Sequence, residues 1–182
     1  PVDGHSLNSI SMLNAGASYV ADIPDTMIST GSGQNYGAEI TYERYLNKGL
    51  YYLFTVSVFD SKYKGSDEVE RNTAFNSNYV TNVLLGKEFT FESKKGALNY
   101  LSLNLKTTYA GGQRYTPFDI EASMAQNKVI YDHANAYSLQ YDPYFRTDFK
   151  IAFRKNKGRI TLEYAIDIQN VFGNQNVYNR NL

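Results

Sequence analysis

The sequence predicts an all-β fold, an antiparallel up-and-down transmembrane β-barrel segment of about six strands. Three observations predict it. Apolar and polar residues alternate with period two over long stretches, and helical spacing is scarcely visible. The stretches run to roughly 10–14 residues, against ~5–6 for a strand in a soluble protein and ~9–11 for a tilted bilayer-crossing strand. Tight glycine turns alternate with long polar connections, the sorting expected when all short turns lie on one side of a membrane.

The first strand places Tyr36, Ala38, Ile40 and Tyr42 opposite Gly37, Glu39, Thr41 and Glu43. Leu46-Asn47-Lys48-Gly49 then reads as a tight turn, with glycine available for a left-handed conformation. The second strand sets Tyr52, Phe54, Val56 and Val58 against Thr55, Ser57 and Ser61. A charged connection follows at about 62–74. The third strand sets Tyr79, Val83, Leu85 and Phe89 against Asn78, Asn82, Gly86 and Glu88. Glu92-Ser93-Lys94-Lys95-Gly96 is the second short turn.

The fourth strand alternates most clearly. Leu101, Leu103, Leu105 and Tyr109 share one face; Ser102, Asn104, Lys106 and Thr108 share the other. The segment 111–143 shows no sustained pattern and reads as a second long connection, with Gly111-Gly112 as a hinge. The fifth strand sets Phe145, Phe149, Ile151 and Phe153 against Arg146, Asp148 and Lys150. Lys155-Asn156-Lys157-Gly158 is the third short turn, and Ile160, Leu162, Tyr164, Ile166 and Ile168 form the apolar face of the sixth strand. If that turn pairs Phe153 with Ile160, Lys150 faces Glu163 and Arg146 faces Asp167. The division that follows is a loop region at 1–35, barrel strands over 36–171, and the start of a further loop at 172–182.

Composition narrows the classes. The 182 residues carry 18 basic and 18 acidic groups, so no charge excess points to nucleic acid. There is no cysteine, which removes a disulfide scaffold and a thiolate metal site. The 17 tyrosines and 10 phenylalanines favour strands. They gather near strand ends, with Tyr42, Tyr45, Tyr51 and Tyr52 at the first turn, Phe89 and Phe91 at the second, and Tyr109, Tyr144 and Phe145 at the far side. Amphipathic rings at strand ends suit a headgroup boundary, though aromatic-rich strands occur in soluble sheets too. A mean hydropathy of −0.46 fits strands that are apolar on one face only. No apolar run of about 18 residues is present to form a transmembrane helix. The opening Pro1-Val2-Asp3-Gly4 carries neither Met nor a signal peptide and reads as a mature or internal start.

Several segments carry a resemblance in combination. They are Asn35-Tyr36-Gly37-Ala38-Glu39-Ile40, Leu50-Tyr51-Tyr52-Leu53, Phe59-Asp60-Ser61-Lys62-Tyr63, Arg71-Asn72-Thr73-Ala74-Phe75-Asn76 and Leu84-Leu85-Gly86-Lys87-Glu88-Phe89. Tyr109 to Pro117, Tyr144-Phe145-Arg146-Thr147-Asp148 and Asp167-Ile168-Gln169-Asn170-Val171 complete the set. Together they resemble the late barrel of TonB-dependent outer-membrane receptors of the Bacteroidetes type. The resemblance implies a plugged barrel of the 22-stranded class in the bacterial outer membrane. It implies a receptor that binds a scarce nutrient at the cell surface and imports it when a TonB complex acts on the plug. The chain departs from that pattern in having no plug domain and no segment for the TonB partner. It also has no final strand ending in an aromatic residue. The partners implied are outer-membrane lipid, a nutrient ligand and, through a plug, the TonB complex.

Two sets of residues stand out as functional candidates. Glu39, Glu43, Lys106, Arg146, Asp148, Lys150, Glu163 and Asp167 fall on polar strand faces and would line a lumen. Arg114, Tyr115, Tyr131, Tyr137, Gln140 and Tyr141 fall in the second long connection. Tyrosine with arginine and glutamine would stack on and hydrogen-bond a polar ligand, and would equally serve to pack the loop. Nothing predicts an enzyme, a metal or a cofactor. The carboxylates are spaced like a barrel lining, and His5 and His133 have no companion at metal-ligand spacing. The competing reading is a soluble β-sandwich carbohydrate-binding or adhesin-type module, since one apolar face per strand looks alike in both. A plugless porin is a third reading.

Overall fold

The structure, a computed structural model, describes residues 10–14, 28–94 and 96–177. Most of the 1–35 region, His5 and residues 178–182 lie outside the described residues. Among the described residues nine strands form in chain order: β1 (Ser32–Asn47), β2 (Leu50–Lys64), β3 (Glu70–Asn72), β4 (Tyr79–Glu92), β5 (Leu98–Ala110), β6 (Arg114–Tyr115), β7 (Leu139–Gln140), β8 (Tyr144–Lys157) and β9 (Ile160–Ile168). One short helix, α1 (Ile120–Gln126), lies between β6 and β7. The fold is mostly antiparallel sheet, as the alternation predicts.

Six long strands pair in the order β1-β2-β4-β5-β8-β9, each with its neighbour among the long strands in sequence, and β3 pairs with the end of β2. The sheet is open, with β1 and β9 as its edges. Local turn chemistry explains the hairpins. Between β1 and β2, Lys48 and Gly49 have φ of 50° and 74°, the two positive angles of the turn that matches strand twist. Between β8 and β9, Lys157 pairs with Ile160 across Gly158, which has a φ of 58°. These turns and the Ser93–Ala97 turn lie at one end of the sheet. The long connections 65–78 and 111–143 lie at the other.

Directly opposite residues share a face, so the ladders sort the side chains. Ile40, Val56 and Thr81 align in one row, as do Leu85, Leu105, Phe149 and Ile168, and Phe89, Leu101, Phe153 and Tyr164. A mainly apolar face therefore runs across all six long strands. Its residues on the edge strands are largely exposed, including Ile40 at 69%, Tyr164 at 63% and Ile166 at 63%, while Val56, Leu103, Leu105, Phe149 and Ile151 in the centre are half-buried. Buried apolar side chains gather instead beneath the long connections, around Tyr63, Ala74, Ile130, Ala136 and Tyr141.

Four expectations need correction. Phe153 pairs with Tyr164, not Ile160, because only Gly158 and Arg159 form the turn. Lys150 consequently faces Asp167, and Arg154 faces Glu163. The first long connection starts after Lys64, since Lys62 and Tyr63 continue β2 and pair with β3. The second is not structureless: its short ladder pairs residues distant in sequence and its helix is set by local caps, neither of them visible to period-two reading. Finally, Tyr51 and Tyr144 sit on the polar face, away from the other strand-end aromatics.

Candidate functional site

Two regions bring the predicted residues together, the polar face of the sheet and the paired long connections at its end. On the polar face the register unites all eight predicted charges. Glu43, Leu53, Leu84, Lys106 and Asp148 lie in one row across five strands. Tyr51, Gly86, Asn104, Lys150 and Asp167 lie in the next. A shallow groove of about 150 Å³ opens between them, lined by Asn104, Lys106, Asp148, Lys150, Asp167 and Gln169.

Arg146 does not reach Asp167. Its Nε donates to Asp148 Oδ1 at 2.7 Å along the same strand, and the Asn170 amide donates to the same oxygen at 2.9 Å. Glu39 accepts from the Ser57 hydroxyl at 2.6 Å. Glu163 accepts from Arg154 Nε and Nη2, each at 3.2 Å. Sequence reasoning missed Arg154, because the assumed register left it without an acid.

The long connections are built as one body. Arg71, in the first, is buried and holds Asp67 with two parallel hydrogen bonds of 2.9 and 2.8 Å. Its Nε donates to the Ala134 carbonyl of the second connection at 3.0 Å. Arg114, in the second, returns the link: Nε donates to the Asn76 carbonyl and Nη2 to Asn78 Oδ1, both at 2.9 Å. Asn76 is fully buried, and its amide donates to Asp60 and Asn72. The Arg71 guanidinium beside Asp67 holds that carboxyl below the usual carboxylate range. Burial pulls the Arg114 guanidinium down from its ordinary value, and the nearby Asp60 carboxylate opposes this.

Within the second connection, β6 and β7 pair Arg114 with Gln140 and Tyr115 with Leu139. The Tyr115 and Tyr141 rings stack at 4.2 Å. Gln140 Nε2 donates to the Gly112 carbonyl at 3.0 Å. Asp119 caps α1 by accepting from the Ala122 amide, and Asn127 ends it in the left-handed region. Tyr131 packs against Phe118 at 5.1 Å and remains half-exposed. Tyr137 has a φ of 55°, and its amide donates to Thr116 Oγ1. Asp132 caps the turn His133–Asn135, and the Asn135 side chain with two backbone amides lowers its pKa. Gly111 and Gly112 are not a hinge. Both are buried, and a Cβ on either would strike the Ser77 or Tyr141 carbonyl.

Most of the six predicted ligand residues thus pack the connection. The larger opening is a cavity of about 400 Å³ beside them, lined by Phe75, Ser77, Gln113, Asp142, Tyr144 and Asn176 among others. None of the six lines it. Asn176 also completes the edge of β8: its carboxamide accepts from the Phe145 amide at 2.9 Å and donates to the Phe145 carbonyl at 3.0 Å. The only available sequence signal was position, since Gln113 and Asp142 flank the β6–β7 ladder. Among the described residues no group of three or more His, Asp or Glu is placed to hold a metal, and no helix is long and apolar enough to cross a membrane. Compared with known proteins, the chain matches no family model, no curated protein and no solved structure.

Proposed function

We propose that this chain is part of the wall of a bacterial outer-membrane β-barrel, in a receptor of the TonB-dependent kind that takes up a scarce nutrient. The observation that carries the reading is the apolar face across six long strands, open to solvent over much of its area, backed by a face that unites the eight charges named above. In water such a face is a liability, and in a bilayer it is the required exterior.

Dimensions support the reading. On the apolar face Tyr79, Tyr109, Phe145 and Phe172 form a chain of ring contacts at 5.4, 6.4 and 6.0 Å toward the long-connection end. Tyr42 and Tyr52, 5.5 Å apart, lie toward the short-turn end with Phe89, Phe91, Phe153 and Tyr164. From Tyr79 to Phe89 the strand advances about 33 Å at ~3.3 Å per residue, or about 25 Å across a membrane at the ~40° tilt of such strands. That equals the height of an outer-membrane apolar band between two aromatic girdles. The edges β1 and β9 would continue into neighbouring strands, which removes their unpaired backbone groups. The 400 Å³ cavity and the joined connections would then face the cell exterior, where ligand is met.

The chain has no cysteine, so single cysteines introduced into it report each face once any cysteine elsewhere in the intact protein is replaced. In proteoliposomes of the intact protein, cysteine at Phe54, Ile151 or Tyr164 is expected to resist a membrane-impermeant maleimide. Cysteine at Ser57, Asn104 or Glu163 is expected to react. A soluble protein whose apolar-face positions are protected without lipid would instead identify a β-sandwich.

A further inference from the structure

The charges at the short-turn end divide between the two faces of the sheet. Arg44 lies in the row of Tyr52, Leu85 and Leu105, and Lys87 in the row of Leu50, Leu103 and Ile151. Lys155 and Lys157 face Leu162 and Ile160. All four are on the apolar face, which among the described residues carries no acid at this end. The acids Glu43, Glu88, Glu92 and Glu163 have the opposite parity and point from the polar face.

None of the four bases makes an ion pair among the described residues. Lys87 shows where they reach. Leu50 and Leu103 flank it in the ladder, and its Nζ lies 5.6 Å from the Phe89 ring centroid and donates to the Lys48 carbonyl in the turn at 3.0 Å. This is the geometry of a lysine that buries its stem and carries its charge to an interface. Lys48, Lys94 and Arg159 add exposed charges in the three turns. The far end of the same face differs: there Lys62 is matched by Asp60 and Glu70, each at 3.4 Å.

We infer that the short-turn rim of the apolar face, through Arg44, Lys87, Lys155 and Lys157, binds the phosphate headgroups of anionic phospholipids in the adjoining leaflet. The inference rests on the barrel reading, since it needs the apolar face in contact with lipid. Charge complementarity selects the occupant. An acidic protein would not need the bases set at the border of an apolar band, whereas a phospholipid offers phosphate and acyl chain at that spacing. The rim would fix the depth of the wall and enrich anionic lipid around it.

The test uses the intact protein and two vesicle types, phosphatidylcholine alone and phosphatidylcholine with phosphatidylglycerol. Phosphatidylglycerol is expected to strengthen association, and salt to reverse the gain. The gain should shrink by about five-fold for each charge removed in R44Q, K87Q, K155Q and K157Q, the factor that ~1 kcal/mol per basic residue near an anionic surface corresponds to. The charge-preserving variant R44K/K87R/K155R/K157R should keep it, which separates charge from folding. Equal insertion into both vesicle types overturns the headgroup inference and leaves the barrel reading standing. Failure to insert into either, with a soluble folded protein, overturns both.

Discussion

Tyr51 lies across Gly86: the two are paired in the β2–β4 ladder, and the tyrosine ring occupies the space a Gly86 side chain would need. The hydroxyl reaches past the glycine to hydrogen-bond Asn104 on β5, so one side chain spans three strands. The glycine is therefore required for close approach. Gly86→Ala should destabilise by about 1–3 kcal/mol, the range for overpacking. In a Tyr51→Ala background most of that cost should vanish, and a double-mutant cycle by denaturant titration reads the difference.

The Arg71–Asp67 pair ties the first connection to the second through the Ala134 carbonyl. Asp67→Asn leaves a buried guanidinium without its counter-charge, and breaking a buried pair costs about 3–5 kcal/mol. Hydrogen exchange should show faster opening of residues 65–78 and 132–136 in the variant.

Acid should do the same reversibly. Asp67 has a folded pKa below its unfolded value, so its stabilising contribution is present above the unfolded carboxylate pKa, ~3.9. That contribution is lost as pH falls through the lowered folded pKa. Protection of the two connections should decline below about pH 4 by this linkage, and Asp67→Asn should flatten that part of the profile.

Arg114 and the Tyr115–Tyr141 stack order the second connection. Arg114→Gln should lower stability by about 1.5–3 kcal/mol, the worth of hydrogen bonds to a charged group. Substituting Gln113 or Asp142, which line the cavity, should alter ligand affinity with little change in unfolding. The reverse pattern would place recognition on Arg114 instead.

The β1–β2 turn can be improved. Lys48 occupies a positive-φ position that asparagine or glycine tolerates better. Lys48→Asn should stabilise the hairpin by up to about 1 kcal/mol, because asparagine tolerates the left-handed conformation that costs other L-residues roughly 1–2 kcal/mol. Gly49→Ala should do harm, because a Cβ there meets the Glu88 carbonyl as well as the positive φ.

Much of the fold was legible from residue order. Period-two alternation is a local property of the strand, so Leu101 to Tyr109 or Ile160 to Ile168 announced both their state and their faces. The glycines at 49, 96 and 158 announced the short turns, because only they adopt the needed φ without strain. That all eight polar-face charges share one side followed from parity alone.

Tertiary structure decided what parity leaves open. Moving a hairpin by an even number of residues preserves both faces, so the sequence allowed Lys150 to face Glu163 as readily as Asp167, and the Gly158–Arg159 turn chose. The second connection showed no period because its order comes from contacts distant in sequence, such as Arg114 with Asn76 and Arg71 with Ala134. The division of charge at the short-turn end lay between these limits. Each lysine was plain in the sequence, but only the joined ladders set four bases along one apolar border with every acid behind it.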